Sequence, residues 1–138
     1  MNLTSLITDN VTELLVKIIE FTQTRQKVLT RNINNIDEPG FLPRDLLVDE
    51  FSDLLHDAID EHIRSRRLVL RDTENIKFGV SGRFEVRPVV DRYAVELLEG
   101  DRDEYIELQI NKLVENSLNQ RVAAELLRQK QETVSVDY

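Results

Sequence analysis

A proline at position 39 followed by a glycine at position 40 sets the firmest limit on how this chain can fold. Proline cannot donate the helical hydrogen bond, it pushes the residue before it out of the helical region, and glycine readily takes positive φ. A helix arriving from the N-terminal side must therefore end at the Glu38-Pro39-Gly40 segment. Such a helix is predicted, because Val11, Leu14, Leu15, Ile18, Val28, Leu29, Ile33 and Ile36 recur at helical spacing. Thr22, Arg25 and Asn32 interrupt the same face with polar groups. Asn10 and Glu13 form a capping-box pair at its start, which predicts a helix over residues 11–36, about 39 Å long. A rod of that length with one apolar face needs a partner.

The matching element lies at the other end. Asp101 and Glu104 form a second capping-box pair, followed by Ile106, Ile110, Leu113, Val114, Leu118, Val122, Leu126 and Leu127 at helical spacing. Beyond Lys130 the periodicity fades, and residues 131–138 read as a frayed or extended end. After Pro43, a shorter amphipathic run of Leu47, Phe51, Leu54, Leu55, Ala58, Ile59 and Ile63 predicts a second helix. Gly79, Gly82 and Gly100, the alternation from Phe84 to Arg87 and the interruption at Pro88 predict an irregular middle with a short hairpin turning at 80–83. The expected fold is mainly α, with long terminal helices packed antiparallel, a short middle helix and a partly β middle region. Residues 1–42, 43–98 and 99–138 are its three stretches within one structural unit. Leu14, Leu15, Ile18, Leu29 and Ile33 are expected to face Ile110, Leu113, Leu118, Val122 and Leu126.

Composition narrows the function. The net charge of −8 argues against a general nucleic-acid binder, which needs clustered Lys and Arg. Residues 37–63 carry −8 and residues 64–98 carry +3, so an acidic stretch precedes a basic one, and the run Arg64-Ser65-Arg66-Arg67 is expected to pair with that acidic neighbour. With no Cys there is no disulfide, thiol nucleophile or Cys-based zinc site. No stretch reaches the roughly 18 apolar residues of a spanning helix, and the first residues lack the pattern of a cleavable signal. His56 and His62 sit among Asp53, Asp57, Asp60 and Glu61, but only His56 and Asp60 share a helical face, a two-ligand surface arrangement that is rarely functional and reads first as a solvated acidic face, with a small metal-dependent hydrolase through His56 as the third reading. No nucleophile elbow or Gly-rich phosphate loop is present. The expectation is a chain without catalysis, cofactor, metal, small-molecule substrate or nucleic-acid partner.

Asn32, Asn34 and Asn35 crowd the end of the first helix. Asparagine favours helix ends and turns, which alone accounts for a terminator. An Asn facing a partner helix can also donate and accept hydrogen bonds and so fix register. The stretch from Arg25 to Phe41, with Asn32-Ile33-Asn34-Asn35-Ile36-Asp37-Glu38-Pro39-Gly40-Phe41 at its end, resembles the N-terminal signature of bacterial flagellar rod, hook and related axial proteins. It differs at Asn34, where Ala is usual, and at Glu38, where Thr is usual. The short length, the Asp45-to-Phe51 stretch, and the Glu99-to-Asp103 turn followed by Leu113-Val114-Glu115-Asn116-Ser117-Leu118 are similar to the proximal-rod (FlgB-type) members.

The resemblance implies a structural subunit exported by the flagellar type III apparatus without a cleaved signal. It implies assembly in the periplasm-spanning basal-body rod through the terminal helices, with rod, membrane-ring and export-gate components as partners. It assigns Asn32, Ile33, Asn35, Pro39, Gly40 and Phe41 to the assembly turn. Leu14, Leu15, Ile18, Leu29, Ile110, Leu113, Asn116, Leu118, Val122 and Leu126 become helix-packing positions. A soluble helical adaptor that binds a partner helix is the other class compatible with the residues.

Overall fold

The computed structural model describes residues 3–79 and 84–136. The protein is mainly helical, with two long terminal helices packed on each other and small strand pairs in the middle. In chain order the elements are α1 (Leu3–Asn34), β1 (Arg44–Asp45), α2 (Val48–Ser65), β2 (Ile76–Lys77), β3 (Glu85–Val86), β4 (Val89–Val90), α3 (Arg92–Gly100) and α4 (Arg102–Val136). Among the described residues no helix is long and apolar enough to cross a membrane.

α1 begins upstream of the expected start, so Asn10 is not its cap. The Asn10 amide instead donates to His62 Nδ1 at 3.0 Å, tying the first part of α1 to the end of α2. At its other end α1 stops at Asn34, short of Pro39, and the chain closes in tighter turns, with the Glu38 N–H donating to the Asn35 carbonyl at 3.0 Å. Pro39 could not take that carbonyl as a helical acceptor, and its ring would collide with it.

α1 lies between two layers. On one side Phe21 and Val28 join Leu46, Phe51, Ile76 and Phe78 in the apolar core, with Ile18, Leu54, Leu55, Leu70, Phe84 and Val86 around them. Phe21 and Phe51 stack with centroids 4.1 Å apart, and Phe84 tilts against Phe51 at 5.9 Å and Phe78 at 5.4 Å. Four of the five phenylalanines are thus concentrated in one cluster, which supplies a core despite the scarcity of aromatic residues. α2 enters this core through the buried Phe51 and Ala58, and Asp49 and Glu50 in its first turn complement the helix dipole. Its C-terminus closes on Arg66 in the left-handed region at φ 63°, with the Arg66 N–H donating to the His62 carbonyl at 2.8 Å.

The middle is more ordered than its sequence suggests. β2 and β3 pair antiparallel, Ile76 with Val86 and Lys77 with Glu85, while the expected turn at 80–83 lies outside the described residues. Pro88 separates β3 from β4, and β4 pairs back to β1, Arg44 with Val90 and Asp45 with Val89. α3 is an additional helix where irregular chain is expected. Its nine residues are too few for a readable period, and its start is fixed by Asp91, whose side chain accepts from the Ala94 N–H at 3.1 Å. Asp101 ends α3 and then caps α4 by accepting from the Glu104 N–H at 3.1 Å. α4 continues helical through Val136, where a frayed or extended end is expected from 131 onward. Among the described residues the basic run, which starts in the last turn of α2, pairs with its acidic neighbour at Arg64, whose guanidinium meets the Glu61 carboxylate. That ion pair and the Ser65 hydroxyl hold the Glu61 carboxyl below its ordinary range.

On the other side, α1 packs antiparallel against α4: Asn32 meets Gln109 and Thr22 meets Asn116. This seam differs from the expected one. Ile110, Leu118, Val122 and Leu126 are not buried in it; they are 47%, 60%, 51% and 46% exposed. Leu113 is half-buried, as are Leu14, Ile18 and Ile33, whereas Leu15 and Leu29 are buried. The face that α4 buries is Tyr105, Gln109, Asn116 and Ala123, mostly polar and turned away from the apolar row.

Candidate functional site

Both long helices carry a seven-residue rhythm that hydrophobicity alone does not display. On α1, the buried Leu15, Thr22 and Leu29 are seven apart, as are the buried Arg25 and Asn32. On α4, the buried Gln109, Asn116 and Ala123 are seven apart, and Lys112 follows Tyr105 by the same step. Two interleaved series at that spacing are the seam of a coiled coil, in which each helix keeps one face toward its partner. Most of the members are polar, so the seam depends on hydrogen bonds as well as on burial.

Asn32 lies at its centre. Its amide Nδ2 donates to the Gln109 side-chain carbonyl at 2.9 Å and to the Arg44 backbone carbonyl at 2.7 Å. Its Oδ1 accepts from the Arg44 N–H at 3.1 Å. One carboxamide thus joins the end of α1, strand β1 beyond the turn, and α4. The Tyr105 hydroxyl donates to the Asn32 backbone carbonyl at 2.7 Å. Burial and the nearby Asp91 carboxylate push this phenol up to about 12. Further along, the Asn116 amide donates to the Thr22 carbonyl at 2.8 Å, holding the same register ten residues earlier on α1.

Beside Asn32 runs a chain of alternating charges. Arg25 grips Asp45 with two parallel bonds, Nε to Oδ1 at 2.9 Å and an Nη nitrogen to Oδ2 at 3.0 Å. The Lys112 ammonium bridges Asp45 Oδ2 at 2.9 Å and Asp91 Oδ2 at 2.7 Å. Asp45 also accepts from the Leu46 N–H at 2.7 Å, and Asp91 is the cap of α3. Burial by itself would raise the Asp45 carboxyl, but the hydrogen bonds from Arg25 and Lys112 outweigh it and hold it below the ordinary carboxylate value. Burial likewise opposes the charged form of Lys112, and its two carboxylate partners outweigh that effect and raise it. Four elements, α1, β1, α3 and α4, are locked together by two cations and two anions whose charges cancel.

The turn residues sit on the outside of this joint. Glu38, Pro39, Gly40 and Phe41 form a type II turn, with the Phe41 N–H donating to the Glu38 carbonyl at 3.1 Å and Gly40 at φ 78°. Pro39 and Gly40 are exposed, Asn35 and Phe41 half-buried, and an open groove is lined by Glu38, Pro39, Gly40, Phe41, Leu42 and Arg44. The Arg102 guanidinium at the start of α4 meets the Asp37 carboxylate across this turn.

Comparisons with protein-family models, curated proteins and solved structures give no match. The geometry therefore stands by itself. The structure brings together Asn32, Asn116 and the α1 end of the Pro39-Gly40 turn, and leaves Ile110, Leu118, Val122 and Leu126 outside. Sequence reading missed the roles of Arg25, Asp45, Asp91, Tyr105, Gln109 and Lys112. The available signal was the seven-residue spacing from Arg25 to Asn32 and from Tyr105 to Lys112. Among the described residues, no three His, Asp or Glu side chains are placed to hold a metal ion, and His62 is engaged by Asn10.

Proposed function

We propose that this protein is a structural subunit of a helical assembly, the proximal rod of the bacterial flagellar basal body, assembling by helix-helix packing after type III export and acting without catalysis. The observation that carries the reading is Asn32. It lies in the stretch that resembles the axial-protein signature, and its carboxamide links α1, the chain after the Pro-Gly turn, and α4. A signature whose first residue fastens the two terminal helices suits a joint that must keep one shape under torque. The apolar row on the outer side of α4 offers a surface to neighbouring subunits. Periplasmic neighbours in the rod, membrane ring and export gate are the partners this reading implies.

Deletion of the gene followed by imaging of basal bodies is the direct test, with loss of the rod as the expected result. The Pro39→Ala, Gly40→Ala double variant is expected to block incorporation, because alanine at φ 78° is strained and the turn would relax toward helix. Normal swimming by that variant would remove the turn from the mechanism. The exposed row also suits a soluble adaptor that docks one partner helix. Intact basal bodies in the deletion strain, with tight one-to-one binding to a soluble protein, would favour that reading.

A further inference from the structure

α3 and α4 meet at a single residue. Asp101 is the one non-helical position between Gly100 and Arg102, held at φ −143° and ψ 95°. Its N–H already donates to the Leu97 carbonyl at 2.7 Å, and its carbonyl already accepts from the Tyr105 N–H at 3.0 Å, both at helical spacing. The bend is capped by a side-chain bond, from the Glu104 N–H to Asp101 Oδ1 at 3.1 Å. Gly100, Asp101 and Arg102 are exposed, and a Cβ added to Gly100 would meet nothing within 4 Å.

Rotating Asp101 into helical angles would let the N–H groups of Arg102, Asp103 and Glu104 donate to the carbonyls of Leu98, Glu99 and Gly100. Backbone bonds would replace the cap, and α3 and α4 would become one helix from Arg92 to Val136, about 68 Å long. Opposing this is the docking of α4: Tyr105 and Gln109 on Asn32, Asn116 on Thr22, and Lys112 on Asp45 and Asp91. Every one of those partners precedes the corner in the chain, so a second copy presents the same set in the same geometry. A straightened chain cannot lay α4 on its own α1, and only another copy can then supply the seam. The face released on opening is mostly polar, so it exposes less hydrocarbon than an apolar seam would.

We infer that Asp101 is a hinge, and that two copies of this chain exchange α4 reciprocally, each laying its α4 on the other's α1. The product is a closed two-fold dimer whose seams repeat those of the monomer. The inference goes beyond the rod reading and does not depend on it.

The test uses the purified full chain, with sedimentation over a range of concentrations. The parent is expected to form a dimer at high concentration. Asp101→Ala removes the cap of the bent form and favours the straight one, so it is expected to tighten the dimer at least about tenfold. Arg102→Pro acts in the opposite direction. Proline suits the first position of α4 but breaks a continuous helix, so this variant is expected to stay monomeric. Arg102→Ala also lacks the Asp37 ion pair but permits the straight helix, and it is expected to dimerise as the parent does. Exchange itself is read in the Asp101→Ala background, in a chain that has no cysteine of its own. Asp37→Cys and Arg102→Cys chains are mixed in urea and refolded together. A short thiol cross-linker is expected to join the two positions between chains, because they meet across the Pro-Gly turn. Circular dichroism checks that each variant keeps its helices. Parent and Asp101→Ala chains that are both monomeric throughout, a helical Arg102→Pro variant that still dimerises, or refolded mixtures that do not cross-link would each overturn the hinge. Intact basal bodies after gene deletion would overturn the rod reading alone.

Discussion

Replacing Asp45 by alanine is expected to destabilise the protein by about 3–5 kcal/mol, the usual cost of leaving a buried ion without its partner. Two cations converge on this carboxylate, and both are largely withdrawn from solvent. Alanine would strand Arg25, leave Lys112 with Asp91 alone, and remove the acceptor for the Leu46 N–H. Asp45→Asn keeps the shape but loses the charge, and it is expected to be destabilised by a smaller amount. Urea unfolding followed by circular dichroism measures both.

The same carboxylate gives the acid limb of stability. In the unfolded chain it titrates near 3.8, and in the folded protein below that. Its contribution is therefore complete above 3.8 and is lost as the pH falls through the folded value. The alkaline limb has the opposite origin. Lys112 is raised above 10.5 and Tyr105 from 10.0 to about 12, so the folded state holds protons that the unfolded chain has released. Stability should fall as the pH rises from about 10 toward 12. Urea midpoints measured against pH should trace both limbs, and Asp45→Asn should flatten the acid one. An acid limb unchanged in that variant would show that another carboxylate controls it.

Asn32→Ala is expected to cost about 2–4 kcal/mol, because buried groups that lose a hydrogen-bond partner cost about 1–3 kcal/mol each. The Gln109 carbonyl loses its donor, and the Arg44 backbone loses both contacts with the carboxamide. Gln109 Nε2 is already buried without a partner, so this region has little capacity to absorb a second orphan. Asn32→Asp tests direction as well as size. A carboxylate has the same outline but cannot donate, so it would place negative charge against the Gln109 and Arg44 carbonyls. It is expected to be at least as damaging as alanine. Thermal unfolding of both variants decides the matter, and an Asn32→Asp variant as stable as the parent would mean that the amide does not act as the donor.

The register between α1 and α4 illustrates how polar seams are chosen. An apolar seam built from Ile110, Val114, Leu118, Val122 and Leu126 would bury more hydrocarbon, yet the chain turns those residues outward. Hydrogen bonds from Asn32, Tyr105 and Asn116 specify one alignment where a uniform apolar row would tolerate slips of a turn. The apolar area left outside remains available to another surface.

Much of this was determined by sequence. Helical spacing locates α1, α2 and α4, Pro39 and Gly40 locate the turn, and alternation beside Phe84 locates β3, because these signals arise from neighbours along the chain and need no tertiary context. Even there the ends shifted, with α1 starting before Asn10 and α4 continuing to Val136, since helix termini depend on what they pack against. The face that each helix buries was decided only by the tertiary structure. Hydrophobicity favoured the row from Ile110 to Leu126, but Arg25, Asp45, Lys112 and Asp91, far apart in sequence, neutralise one another once folded. Their pairing makes a polar face less costly to bury than its composition implies. That compensation exists only between distant residues, so no local pattern reveals it.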